Sequence, residues 1–186
     1  MAMSSRIVAA AAVLAVPLSF GLSLPASAEG IEDEATATAV RAVTAPESSA
    51  AAQAAAMPPG FSYRAEPGPG FAVNPHGGCS SVLPLPSGFD APCKAHDLGY
   101  DLLRHADAQG RPLGAWARVR IDDAFEDRLQ SACGSRPVDQ RQSCSHVADV
   151  VMLSVRANTW RQHDGPPRDE SARDLAASWL TAGGRL

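Results

Sequence analysis

The chain has 186 residues, with 20 acidic and 16 basic side chains and a formal net charge of −4. An acidic chain is a poor candidate for binding nucleic acid, and it gains little from long-range attraction to anionic membranes. We therefore expect no nucleic-acid partner, and any contact with a membrane surface has to depend on local features of the fold.

The N-terminus has the pattern of a cleaved export signal. Arg6 precedes a mostly apolar run over residues 7–24, and residues 25–28 end in an Ala-x-Ala cleavage pattern. The alternative is a membrane anchor, but Pro, Ser and Gly residues interrupt the apolar run before the cleavage pattern. We predict a signal peptide over 1–28 and a secreted mature protein.

Residues 29–60 have the composition of a linker or pro-segment. Acidic residues are followed by Ala, Thr, Ser and Pro, and then by an alanine-rich run over 50–56. That run has no large apolar side chain to bury, so we expect its helicity to be marginal. The sequence Pro58-Pro59-Gly60 ends it.

A domain over 61–161 begins as loop and continues as helix, with no strand signal of note. Three helical segments are predicted, at about 91–105, 115–133 and 139–160. Gly110 to Gly114 connect the first two, and a polar tail over 162–186 carries a short amphipathic helix around Trp179. The pattern predicts an all-α fold, a small helical bundle whose limited core needs disulfide support.

Four cysteines lie in the exported part of the chain. They are Cys79, Cys93, Cys133 and Cys144. An even count in a secreted protein indicates two disulfides, for which three connectivities exist. A zinc site formed by Cys79, Cys93 and His96 is the alternative, but its spacing lacks a Cys-x-x-Cys pair.

The first two helical segments each place one ionisable residue on the inward face. His96 shares a face with Cys93 and Tyr100. Asp122 lies within a predicted apolar stripe that consists of Val119, Phe125, Leu129 and Ala132. A short connection makes the two helices antiparallel neighbours, so the carboxylate and the imidazole can meet. One ring nitrogen would then stay free to take a proton from water, although a purely structural buried pair is the alternative.

Asp97 projects away from His96 and has a surface carboxylate as its simplest interpretation. A Cys79–Cys93 bridge, if formed, would bring the Gly77-Gly78 turn to the same helix. One carboxylate together with backbone carbonyls and water is ordinary calcium ligation. Gly99 is expected to leave free volume beside His96, where an ester could lie.

These motifs together carry a resemblance to a known family. The sequence from Cys93 to Tyr100 reads Cys-x-x-His-Asp-x-Gly-Tyr, with Gly78-Cys79-Ser80 upstream and Arg120 to Phe125 downstream. Over about residues 74–155 the chain resembles the secreted prokaryotic and fungal phospholipase A2 family. The resemblance implies a bundle with two long antiparallel helices and two disulfides. We predict the local pairing, in which Cys79 joins Cys93 and Cys133 joins Cys144.

The same resemblance implies roles for individual residues. His96 would be the base that activates water, and Asp122 would be its orienting partner. Asp97 and the backbone carbonyl of Gly78 would be ligands of a Ca²⁺ ion that polarises the ester. The implied substrate is the sn-2 ester of a glycerophospholipid at a membrane surface, and the protein is expected to act as a monomer.

One position departs from the family pattern. Gly77 stands where the family usually has an acidic ligand, and the loss of a carboxylate weakens calcium binding. The alternative function is therefore a catalytically weak or inactive module that binds lipid or protein. A purely structural disulfide-linked bundle is a third interpretation. It requires that the inward positions of His96 and Asp122 have no functional meaning.

Overall fold

The computed structural model describes residues 31–81 and 84–182, so the predicted signal peptide lies outside the described residues. The helices of this part are α1 (Glu34–Val43), α2 (Ala50–Ala55), α3 (Asp90–Ala108), α4 (Ala115–Gly134), α5 (Val138–Arg161) and α6 (Ala172–Ala182). Two short strands, β1 (Glu66–Pro67) and β2 (Ala72–Val73), pair antiparallel between α2 and α3. The all-α class is confirmed, and the two-residue strands are the only departure from it in the described part of the chain.

The long helices α3 and α4 run antiparallel and in contact. His96 near the start of α3 stacks on Phe125 in the second half of α4. One turn later, the ring of Tyr100 lies under the guanidinium of Arg118, near the start of α4. Residues later in α3 therefore contact residues earlier in α4. The two helices are antiparallel, as the short connection predicted.

A tight turn joins the two helices. Just after the end of α3, Gly110 lies in the left-handed region at φ 69°, where glycine carries no Cβ penalty. The amide of Gly110 donates to Asp107 O at 2.9 Å, and the amide of Arg111 donates to Ala106 O at 3.1 Å. These two bonds form a Schellman motif, which satisfies the last carbonyls of α3 and reverses the chain within the predicted connection.

The helix α5 returns along α4. The disulfide between Cys133 and Cys144 joins the end of α4 to the start of α5. At the other end, Thr159 of α5 lies against Asp122 of α4. The second disulfide joins Cys79 to Cys93 in the first turn of α3. Both bridges have the predicted local pairing, and they rule out a zinc site that uses these thiolates.

The core has two parts that meet at the inward faces of α3 and α4. One part includes Leu98, Leu102 and Ile121, and the other includes Phe125 and Leu129 together with three of the four bridged cysteines. Asp122 lies between Ile121 of the first part and Phe125 of the second. The two apolar clusters therefore enclose this carboxylate on both sides along α4.

The helix α1 packs into the first core part, which the sequence did not indicate. Its inward face consists of Ala37, Ala39, Val40 and Val43, all buried. The carboxylate of Asp33 caps the helix by accepting from the amide of Thr36 at 2.8 Å. Small side chains give a weak apolar pattern, and their burial depends on the close approach of α3. The domain boundary at residue 61 and the linker or pro-segment over 29–60 remain predictions.

Two expectations for the inward faces were wrong. Val119 is 41% exposed, and the buried side of α4 is instead centred on Arg118, Ile121 and Asp122. The end of α5 packs on the side of α4 that carries Arg118, so the neighbouring Val119 faces solvent. Gly99 leaves no free volume for an ester, because a Cβ built there would lie 2.6 Å from Ile121 Cγ2. Its small size instead allows α3 and α4 to approach closely.

This close approach predicts the stability of a glycine variant. Gly99→Ala should lower the free energy of unfolding, because overpacking of a filled core costs about 1–3 kcal/mol and exceeds the gain in helix propensity. Gly134→Ala is the matched control, since a Cβ at the end of α4 meets nothing within 4 Å, and it should stabilise by about 0.5–1 kcal/mol. Thermal and urea unfolding measure both, and equal stabilisation by the two variants would contradict the packing described here.

Candidate active site

His96 and Asp122 form a buried hydrogen-bonded pair between α3 and α4. His96 Nε2 lies 2.9 Å from Asp122 Oδ1. Only 8% of His96 and 1% of Asp122 is exposed. Because an ionised carboxylate only accepts hydrogen bonds, Nε2 carries the proton in this arrangement. The other ring nitrogen, Nδ1, is then left as an acceptor, which is the form that a general base requires.

Other side chains satisfy the remaining lone pairs of Asp122. Tyr100 donates its phenolic hydroxyl to Oδ1 at 2.9 Å, and Thr159 donates to Oδ2 at 2.7 Å. Burial alone would raise the pKa of Asp122, but the hydrogen bonds from His96, Thr159 and Tyr100 hold it below its ordinary value. Burial, with the charge of Asp122, raises the pKa of Tyr100 to about 12. At neutral pH the carboxylate is therefore ionised and the phenol is protonated.

Aromatic rings fix the orientation of the imidazole. The ring of His96 stacks on Phe125, with centroids 4.4 Å apart and planes at 28°. The ring of Tyr100 contacts it with centroids 4.0 Å apart. Since packing and one hydrogen bond both restrain the ring, Nδ1 keeps a single direction, and little ordering is left to be done when a substrate arrives.

Asp97 lies against the glycine turn that precedes the first disulfide. Its Oδ2 accepts a hydrogen bond from the amide of Gly78 at 2.8 Å. A Cβ built on Gly77 would lie 2.7 Å from the same oxygen, so only glycine fits here without movement. The bridge between Cys79 and Cys93 holds the turn to α3 at this position.

These features fit a hard cation such as Ca²⁺. Burial raises the pKa of Asp97 despite the amide of Gly78, which means that its negative charge is poorly compensated. No Lys or Arg of the described residues forms an ion pair with it. The same part of the chain has no group of three or more His, Cys, Asp or Glu residues that could hold a metal. A calcium site here would therefore consist of one carboxylate, backbone carbonyls and water.

A cavity of about 890 Å³ opens beside His96 and Asp97. Its polar lining also includes Tyr100, Arg104, His146, Ser154 and Asn158. Its apolar walls come from the loop before α3 and from α4 and α5, and they consist of Leu85, Phe125, Val147, Val150, Val151 and Val155. A lining that combines polar groups with apolar side chains suits a ligand with an ester and a hydrocarbon chain.

Sequence reasoning identified part of this arrangement and missed the rest. The structure brings His96 to Asp122 and places Asp97 at Gly78. The role of Thr159 went unnoticed, because it lies in a third helix whose register against α4 is not readable from the sequence. Arg118 was also missed, although it lies four residues before Asp122 and therefore on the same face of α4. That spacing was the available signal.

The fold and the site together define a small disulfide-linked helical protein with a buried His–Asp pair beside an apolar cavity. A sequence-family model described as prokaryotic phospholipase A2 matches residues 62–159, which is more than half of the chain. The chain therefore belongs to the prokaryotic phospholipase A2 family, and the resemblance stated from its motifs is confirmed. Comparison with curated proteins and with solved structures found no significant match. None of the helices in the described ranges has the length and apolar character needed to cross a membrane.

Proposed function

We propose that this protein is an exported, calcium-dependent phospholipase A2 that hydrolyses the sn-2 ester of glycerophospholipids. The observation that carries the proposal is the 2.9 Å contact between His96 Nε2 and Asp122 Oδ1, at the wall of a cavity that is otherwise largely apolar. Membership of the family supports the same substrate class.

The chemistry of the chain itself follows from this pair. As a water molecule attacks the ester carbonyl carbon, its proton passes to His96 Nδ1. The imidazolium that forms is stabilised by Asp122, which stays ionised because three donors hold its pKa down. When the bond between the acyl carbon and the glycerol oxygen breaks, His96 returns the proton to that oxygen. The products are a free fatty acid and a lysophospholipid.

Asp97 and the backbone at Gly78 are the groups proposed to hold the calcium ion. When bound, Ca²⁺ supplies Lewis-acid polarisation of the ester carbonyl and stabilises the charge that develops on its oxygen. The half-buried position of Asp97 beside a turn with no side chains supports this assignment.

The apolar walls of the cavity would bind the acyl chain. Val150 lines the cavity and is well exposed, and Leu153 is also exposed on α5. Each Å² of apolar surface removed from water contributes about 25 cal/mol, so a chain along these walls gains affinity without any charge contact. This suits an acidic protein that takes its substrate from a phospholipid surface as a monomer.

The two disulfides support export, because such bridges persist in oxidising compartments. They agree with a leader over residues 1–28, whose removal is tested by the N-terminal sequence of the protein recovered outside the cell.

The function is tested with a phospholipid that carries distinguishable acyl chains at sn-1 and sn-2. Release of the sn-2 chain in calcium, and its absence in chelator, is the expected result. Release from sn-1 alone would overturn the regiochemistry. Binding to phospholipid vesicles without any release would instead favour the inactive lipid-binding module.

A further inference from the structure

Arg118 is a fully buried charged residue whose role is not explained by the pair of His96 and Asp122. Its exposed fraction is 0%, and it lies one helical turn before Asp122 on α4. No carboxylate of the described residues forms an ion pair with it. A buried charge is costly unless other groups compensate it, so the contacts of this guanidinium define what it does.

The end of α5 and the turn after it hold the guanidinium in place. Arg118 Nη1 donates to Gln162 Oε1 at 2.9 Å and to the backbone carbonyl of Gly165 at 2.7 Å. Its central carbon lies 5.0 Å from the centre of the Tyr100 ring, in a cation–π contact. The positive charge is therefore anchored between α3, α4 and α5, next to two of the groups that surround Asp122.

A further contact links Arg118 to the Asp122 carboxylate through Thr159. Arg118 Nε lies 3.1 Å from Thr159 Oγ1, and Thr159 Oγ1 lies 2.7 Å from Asp122 Oδ2. A guanidinium has donors but no acceptor, so Thr159 has to accept from it. The one proton of the Thr159 hydroxyl is then directed at Asp122. Each hydrogen bond therefore points the same way: Arg118 donates to Thr159, and Thr159 donates to Asp122, the partner of His96.

We propose that Arg118 and Thr159 are positioning residues for the catalytic pair, and this inference rests on the proposed function. Arg118 fixes the direction of the Thr159 proton, and Thr159 in turn fixes the rotation of the Asp122 carboxylate. Neither side chain lines the cavity, so both would act through Asp122.

Kinetics of four single variants, and of the double variant Thr159→Val with Arg118→Met, test the proposal. Thr159→Val, which keeps the shape and removes the hydroxyl, should lower kcat by about 10–100-fold with KM changed less than twofold. Thr159→Ser should restore most of kcat. Arg118→Met should lower kcat to a similar extent, whereas Arg118→Lys should retain part of it. If Arg118 acts through Thr159, the double variant should be no slower than Thr159→Val alone, within about twofold.

A control separates positioning from general stability. Arg128 lies on the same helix as Arg118 but contacts other groups: its Nη2 donates to the backbone carbonyl of Val43, and its guanidinium lies over the ring of Phe71. Arg128→Met should lower the unfolding temperature and leave kcat within about twofold, because neither of these partners bonds to Asp122, Thr159 or Arg118. Wild-type kcat in folded Thr159→Val, or multiplied losses in the double variant, would overturn the proposal.

A second measurement does not depend on activity. The proton between His96 Nε2 and Asp122 should give a downfield resonance in ¹H NMR, assigned by its loss in His96→Ala. Thr159→Val and Arg118→Met should shift or broaden it, and Arg128→Met should not. If the wild type hydrolyses no phospholipid, the proposed function fails while this readout still tests the positioning. An unchanged resonance in both variants would contradict the inference even in an active enzyme.

Discussion

His96→Ala should reduce sn-2 hydrolysis by at least about 10²–10⁴-fold, the contribution of a positioned general base. The change removes the group that we propose accepts the proton of the attacking water. Asp122 keeps the donors Tyr100 and Thr159 after the substitution, so the fold should survive. Circular dichroism and the unfolding temperature check the fold, and fatty-acid release at saturating calcium measures the rate.

The matched control is His105→Ala, which removes an imidazole from the same helix. His105 packs against Phe61 with ring centroids 5.7 Å apart and does not line the catalytic cavity. Its variant should keep the wild-type rate. Asp122→Asn completes the series, because the amide can donate to Nε2 and so favour the tautomer that cannot accept at Nδ1. We expect a loss of up to about 10⁴-fold there, and wild-type rates in both site variants would refute the mechanism.

Removal of calcium should abolish activity, and Asp97→Asn should have the same effect at calcium concentrations that saturate the wild type. Asp97 is the one carboxylate that the motif places at the ion, so the site should bind calcium with a dissociation constant of about 10⁻⁴–10⁻³ M. Calorimetric titration measures binding, and Asp107→Asn, an exposed change on the same helix, is the control. Full activity in chelator would show that the ester is polarised by other groups.

The structure also reverses an expectation about Gly77. By analogy with the family, Gly77→Asp should restore a missing ligand and tighten calcium binding. However, a Cβ at this position would lie 2.7 Å from Asp97 Oδ2 and 3.1 Å from Asp97 Cβ. Both Gly77→Ala and Gly77→Asp should therefore weaken calcium binding by displacing the Asp97 carboxylate. The alanine variant isolates the steric effect, and tighter binding by the aspartate variant than by the wild type would contradict this view.

The sequence alone determined the long helices and the pairing of His96 with Asp122. Their boundaries follow from glycine, proline and a period of about 3.6 residues, which are local properties of the chain. The same period places His96 and Asp122 on inward faces, and a short connection brings those faces together. The disulfide pairing was also predictable, because both bridges close short loops. The sequence therefore predicted the parts of the site that depend on two adjacent helices.

Only the tertiary structure decided how closely the elements approach and which third element completes the site. The contact between Gly99 and Ile121 is set by the distance between two helix axes, and that distance has no local signal. The burial of α1 depends on the surface that α3 presents to small side chains. The link from Arg118 through Thr159 to Asp122 depends on the register of α5, which is fixed by packing over the whole length of α4. The contacts of Thr159 with Arg118 and Asp122 join residues about 40 positions apart in the chain. Periodicity along a single helix carries no information about contacts between separate helices.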